Sequence, residues 1–276
     1  MSRRTSAIAA ALSVLALGSP LIAACANPLA NNSFNSGVDK YEQADYQGAI
    51  DAFSQAIEIN PKNANAFTNR GAAKKELGDY QGAIADATKA IELDPQDAIA
   101  YFNRGVAKDT LKDYRGAIAD YTKVIELDPQ DANAYYNRGV AKGKSKDYQG
   151  AITDYTKAIE LDPQDVLAYY NRGTTKVKLK DYQGAIADFN KAIEVNSKFA
   201  KAYYNRGVVK GDLQDYQGAI VDYTKAIELD PQDASPYVNR GIARELVNDL
   251  QGACDDWRKA GDLGDERSAE WVKEQC

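Results

Sequence analysis

The sequence predicts an all-α solenoid of seven helix-turn-helix units closed by a C-terminal capping helix. Three observations predict it. Gly48, Gly82, Gly116, Gly150, Gly184, Gly218 and Gly252 stand 34 residues apart. A second series, Arg70, Arg104, Arg138, Arg172, Arg206 and Arg240, keeps the same step, each arginine inside an Asn-Arg-Gly triplet. Within a period, two amphipathic stretches of about 14 residues are separated by turn chemistry. Such fixed self-similarity marks a repeat architecture, because a helix pair this small buries its apolar side only by stacking on neighbours.

The N-terminal element precedes the array. In MSRRTSAIAAALSVLALGSPLIAAC, Arg3 and Arg4 are followed by an apolar run from Ala7 to Leu17 and then by small residues, the layout of a secretory signal peptide. The run falls short of the about 20 residues that span a membrane. Leu21-Ile22-Ala23-Ala24-Cys25 resembles a bacterial lipobox. That resemblance implies cleavage before Cys25 and acylation of its sulfur, so the chain would be anchored by lipid (palmitate) rather than spanning. Ala24-Cys25-Ala26 also suits ordinary cleavage, which would release a soluble exported chain. Loss of the leader takes the net charge from −6 to −8. The expected plan is a leader at 1–24, a lipidated cysteine and tether at 25–29, seven units at 30–267 and the end of a capping helix at 268–276. The Asn-rich composition extends the tether reading from Asn27 to Ser33.

The fourth unit shows how each element arises. Asp131 is a cap for a first helix over 132–145, and Asp147 for a second over 148–161. Asp162-Pro163 ends the second, because the residue before a proline avoids the helical region. Gly139 sits inside the first helix at a cost of about 1 kcal/mol relative to alanine. The expected offset is close approach of two helix backbones, with Ala151 and Ala158 doing the same on the second helix. Units two to seven carry both the arginine and an aspartate, Asp86, Asp120, Asp154, Asp188, Asp222 or Asp256; the first has Ser36 and Ala52 instead. Their joint loss predicts an ion pair within each unit, Arg138 with Asp154 being the example. Past the last unit, Gly261 to Gly264 reads as a turn and Glu266 to Gln275 as a polar capping helix. Cys254 precedes that turn and Cys276 follows it on the next helix, so antiparallel helices rising 1.5 Å per residue bring them to similar heights. In an oxidising compartment a Cys254–Cys276 disulfide is expected; two free thiols is the alternative.

The period and the placing of Tyr135, Gly139, Ala151, Tyr155, Ala158 and Pro163 resemble the tetratricopeptide repeat (TPR) family over Ala30 to Arg267. The repeat wording is similar to that of cyanobacterial members, and the leader to exported lipoprotein types. Arg138 and Lys142 depart from the family, which usually has a large aliphatic and a tyrosine there. The resemblance implies a right-handed superhelix whose first helices line a concave groove. Asn133, Tyr136, Asn137, Val140 and Lys144 then belong to that groove. Asn137 has counterparts in Asn35, Asn69, Asn103, Asn171, Asn205 and Asn239, a ladder of amides able to pair with the backbone of an extended peptide. Tying helices together or binding water is the other use for such amides. Beside the ladder run Phe102, Tyr136, Tyr170 and Tyr204, either a binding wall or packing between repeats. The lysine and asparagine set with which some TPR proteins grip a C-terminal carboxylate is not matched, since Thr68 and Ala72 stand at two of its places.

Composition bounds the function. No histidine is present, which removes His-dependent nucleophile systems and the common His-bearing zinc sites. The acidic balance argues against a nucleic-acid partner. Asp-Pro-Gln-Asp, repeated at Asp94, Asp128, Asp162 and Asp230, lacks the glycine and distal glutamate of a calcium loop and reads as a helix stop followed by a cap. The repeats leave no room for a catalytic domain. The expectation is therefore a non-enzymatic scaffold of the bacterial cell envelope, without cofactor or metal, holding a protein or extended peptide and touching the membrane only through its N-terminal lipid. A soluble periplasmic or lumenal assembly factor is the alternative, and an enzyme the disfavoured one.

Overall fold

A computed structural model of the chain describes residues 28–276, which form fifteen helices and, among the described residues, no strand. The leader and Cys25 lie outside the described residues. The helices are α1 (Pro28–Glu42), α2 (Tyr46–Ile59), α3 (Ala64–Glu76), α4 (Tyr80–Leu93), α5 (Ala98–Thr110) and α6 (Tyr114–Leu127), then α7 (Ala132–Lys144), α8 (Tyr148–Leu161), α9 (Val166–Lys178), α10 (Tyr182–Val195), α11 (Ala200–Asp212), α12 (Tyr216–Leu229), α13 (Ala234–Leu246), α14 (Leu250–Asp262) and α15 (Glu266–Gln275). They make seven pairs and a final single helix. Two compact units result: an N-terminal block ending at Pro129 with α1–α6, and a C-terminal block from Gln130 with α7–α15.

Local chemistry sets each boundary. Asp131 Oδ1 accepts the backbone N–H groups of Asn133 and Ala134 at 2.8 and 3.1 Å, which starts α7. Asp147 Oδ1 accepts Gly150 N–H at 3.0 Å and starts α8. A Cβ at Gly150 would overlap that capping carboxylate, which explains a glycine two residues into the second helix of every repeat. The turn between α7 and α8 needs one left-handed residue, Lys146 at φ 69°, and closes with Asp147 N–H donating to Lys142 O at 2.9 Å. Only the second repeat places a glycine at that position, Gly78.

The tether reading needs correction. The helix begins at Pro28 and runs through Asn31 to Ser33. Proline is well suited to a first helical position, where its missing N–H would be unbonded anyway. Ala30 is buried, and Phe34 packs on Phe53 of α2 at 5.6 Å. Asparagine content alone had suggested coil; the helix follows from packing.

The core is a series of small clusters, one per repeat, as stacking requires. In the C-terminal block Tyr136, Tyr155, Ala151, Ala158 and Ala168 form one, and Phe189, Ala185 and Val209 another. Gly139 fits beneath an aromatic ring: a Cβ there would lie 2.9 Å from Tyr155 Cε1 and 3.3 Å from Ala151 O. The approach expected between two backbones is thus chiefly backbone against ring. In the second repeat Ala87 replaces the aromatic, and Gly71 faces Ala83 O at 3.2 Å instead.

Candidate functional site

The Asn-Arg-Gly triplet divides between structure and surface. Arg138 meets Asp154 in two parallel bonds, Nε to Oδ2 at 2.9 Å and Nη2 to Oδ1 at 2.7 Å. The same fork joins Arg70 to Asp86, Arg104 to Asp120, Arg172 to Asp188, Arg206 to Asp222 and Arg240 to Asp256. Each aspartate is buried, with Asp154 only 2 % exposed. The expected pair within a unit is present in all six.

Sequence reading missed two further members of this clamp. A second cation, one turn along the first helix, reaches the same carboxylate: Lys142 Nζ lies 2.8 Å from Asp154 Oδ2, and Arg244 takes this place in the last repeat. The arginine also extends to the preceding repeat, as in Arg172 Nη1 to Thr156 Oγ1 at 3.0 Å and Arg206 Nη1 to Asn190 Oδ1 at 2.6 Å. Its guanidinium covers the ring of the first aromatic, Arg138 over Tyr135 at 5.6 Å. The departures from the usual family residues at Arg138 and Lys142 were the available signal. A buried carboxylate demands compensating charge, so both changes belong to one aspartate.

The residues expected on a binding face are the second aromatic and the asparagine. In the C-terminal block they meet each other across repeats. Asn171 Nδ2 donates to Tyr136 Oη at 2.7 Å, Asn205 to Tyr170 at 2.8 Å and Asn239 to Tyr204 at 2.9 Å. One N–H of each amide is therefore used between first helices. The other N–H and the oxygen make no hydrogen bond among the described residues. Asn137 donates back along its own helix to Asn133 O at 2.8 Å.

The rings themselves pack inward. Tyr136 is 9 % exposed, and Tyr136, Tyr170 and Tyr204 lie 5.9, 6.0 and 5.9 Å from Tyr155, Phe189 and Tyr223. Burial raises the Tyr170 phenol above its ordinary range, partly offset by the bond from Asn205. Burial also raises Tyr204, helped by the nearby Asp233 carboxylate. Both hydroxyls stay protonated and available as hydrogen-bonding groups.

The N-terminal block differs. Phe102 packs on Tyr121 at 5.7 Å and has no hydroxyl. At the equivalent place in the second repeat, Thr68 Oγ1 bonds Asp97 Oδ2 at 2.6 Å. Asn69 is half-buried and Asn103 is 7 % exposed; neither side chain hydrogen-bonds to another described residue. With exposed Asn35, the three amides of the row in this block keep their full donor and acceptor capacity unused among the described residues.

Two models of the tetratricopeptide repeat match the sequence, one over residues 64–97, 132–165, 166–199 and 200–233 and the other over 37–78 and 111–146. A crystal structure of MamA is 30 % identical, with 60 % of this chain aligned to 96 % of that one and a TM-score of 0.56. The chain belongs to the tetratricopeptide repeat family. Among further TPR structures, YrrB, a TPR protein with an unusual peptide-binding site, is 28 % identical over 68 % of this chain and 97 % of its own, with a TM-score of 0.58. PilF of Pseudomonas aeruginosa, 20 % identical over 76 % of this chain and 97 % of its own at a TM-score of 0.64, shares the fold. No curated protein matched the sequence. TPR membership makes the chain a protein-binding scaffold whose partner is a protein or peptide. The family is typically non-enzymatic. The structure also contains the Cys254–Cys276 disulfide, with Cα atoms 5.8 Å apart.

Proposed function

We propose that this TPR chain is a non-enzymatic adaptor of the bacterial cell envelope that holds an extended segment of a protein partner along its first helices. The observation that carries the reading is the row of asparagines, above all Asn69 and Asn103, whose amides have no partner within the described residues. A carboxamide at one-repeat intervals offers a donor and an acceptor to successive peptide groups of an extended chain without selecting its side chains. Within the C-terminal block Asn137, Asn171, Asn205 and Asn239 offer their remaining groups in the same way, beside Tyr136, Tyr170 and Tyr204, as Phe102 stands beside Asn103 in the N-terminal block. That YrrB has a peptide-binding site supports this use of the fold.

The envelope reading rests on the leader pattern and on Cys25 as a lipidation site, and it is supported by the disulfide, which suits an oxidising compartment. Ala24-Cys25-Ala26 favours a second reading, a soluble exported assembly factor. Fractionating cells that carry wild type or Cys25→Ser separates the two: an anchored protein leaves the membrane fraction on substitution, and a soluble one never enters it.

Binding is tested with the purified chain. Peptides selected from a random library are measured against Asn69→Ala/Asn103→Ala and Asn171→Ala/Asn205→Ala. The first pair should weaken binding by about 1 kcal/mol per amide and the second by less, since part of each amide is already engaged. Unchanged affinity in both double variants would remove the ladder from the binding site.

A further inference from the structure

The C-terminal cap is held in an unusual way. Helix α15 has ten residues, and only Ser268 among them is buried. Among the described residues, no side-chain hydrogen bond or ion pair links α15 to α13 or α14. Its own polar contacts are local: Asp265 caps it by accepting Ser268 N–H at 2.8 Å, and Arg267 lies 3.9 Å from Asp265. By contrast α13 and α14 are joined through Arg240, Arg244 and Asp256.

What remains is apolar contact and one covalent bond. Trp271 of α15 packs on Trp257 of α14 at 5.3 Å, and Ala269 lies against Gly261. The disulfide ties the last residue, exposed Cys276, to Cys254, which is 4 % exposed and lies on the buried side of α14. A helix of ten residues does not persist alone in water. Without the bond, docking of α15 depends on Trp271, which packs on Trp257 and against the Tyr237, Val238 and Ala260 cluster, and on a few small contacts.

We infer that the Cys254–Cys276 bridge is a redox clasp: a dithiol reductant opens it, α15 undocks, and the apolar end of the array around Trp257 and Ala260 is uncovered. The step balances. A thiolate of the dithiol attacks the exposed Cys276 sulfur, and Cys254 leaves as a thiolate and takes a proton. The second thiol of the reagent then displaces Cys276, which is protonated in turn. The dithiol ends as a disulfide, and the two electrons it lost have reduced the bridge. The uncovered face is the one on which each earlier repeat receives the first helix of the next.

The chain provides its own reporter, because its only two tryptophans are Trp257 and Trp271. The full-length protein is treated with dithiothreitol, reduction is verified by thiol titration, and tryptophan emission and trypsin cleavage at Arg267 and Lys273 are followed. Reduction should shift emission to longer wavelength and speed cleavage at those two sites by roughly tenfold or more, with the rest of the array still resistant. Cys276→Ser should show the shifted emission and fast cleavage without reductant and respond no further. Circular dichroism of that variant separates local release from loss of the fold, because only α15 should be affected. Unchanged emission and cleavage on complete reduction, or in Cys276→Ser, would overturn the clasp and leave a bridge that merely decorates a docked helix.

Discussion

The two blocks are written with the same repeat and yet use it differently. Both contain the clamp of arginine, lysine and buried aspartate: Asp86 and Asp120 in the N-terminal block are held as Asp154, Asp188 and Asp222 are in the C-terminal one. The first-helix faces diverge. Tyrosine hydroxyls tie successive repeats through asparagine in the C-terminal block, whereas Phe34 and Thr68, one repeat before Asn69 and Asn103, make no such bond to them among the described residues. One substitution per repeat, tyrosine for threonine or phenylalanine, changes an amide from a free recognition group into a partly structural one. The clamp resists such drift because a buried carboxylate loses two cations at once if either helix changes, while an amide at the surface loses little.

The largest effect should come from breaking what the blocks share. Asp154→Ala and Asp86→Ala each strand two cations at a helix interface, and each should cost about 3 kcal/mol or more in urea unfolding. A loss below about 1 kcal/mol in either block would mean that the clamp behaves as a solvated surface pair.

Glycine should separate the blocks next. Gly139→Ala pushes a methyl into the Tyr155 ring and should destabilise by about 1–3 kcal/mol. Gly71→Ala meets Ala83 O at 3.2 Å without a ring above it. Part of its cost is returned as helix propensity, about 1 kcal/mol. Equal melting losses for the two would deny the ring its role.

A smaller difference is expected at the tyrosines. Tyr170→Phe and Tyr204→Phe remove the acceptor of Asn205 and Asn239 and should each cost about 1 kcal/mol of stability, while freeing the amides for a ligand. Peptide affinity that falls along with stability would show that the hydroxyl, not the amide, meets the partner. The smallest effect belongs to the turns. Lys112→Gly and Lys146→Gly relieve a left-handed backbone at a non-glycine residue and should each gain about 0.5 kcal/mol, less than the full strain because glycine also loosens the unfolded chain.

Much of this was legible before any coordinates. The 34-residue step of glycine and arginine located every helix pair, and Asp131, Asp147 and Asp162-Pro163 located the ends of α7 and α8 to within a residue. These are local signals: a cap or a stop acts within a few residues of itself. The pairing of Arg138 with Asp154 was also legible, because the first unit loses both partners together. Lys142 escaped notice as the second cation: its departure from the usual family residue was visible, but its reach to Asp154 depends on how the two helices pack. The bond from Asn171 to Tyr136 escaped too, spanning 35 residues and depending on how one first helix sits beside the next.

The sequence by itself determined the repeat, its helices, its caps and the acidic partner of each arginine, because these follow from periodicity and from contacts within one unit. Only the tertiary structure decided which amides are already engaged, which aromatic rings are buried, that Pro28 begins a helix rather than a tether, and how little besides a disulfide holds α15. Those outcomes turn on distances between side chains far apart in the chain, and on whether a polar group meets water or another residue. Neither is encoded in a period.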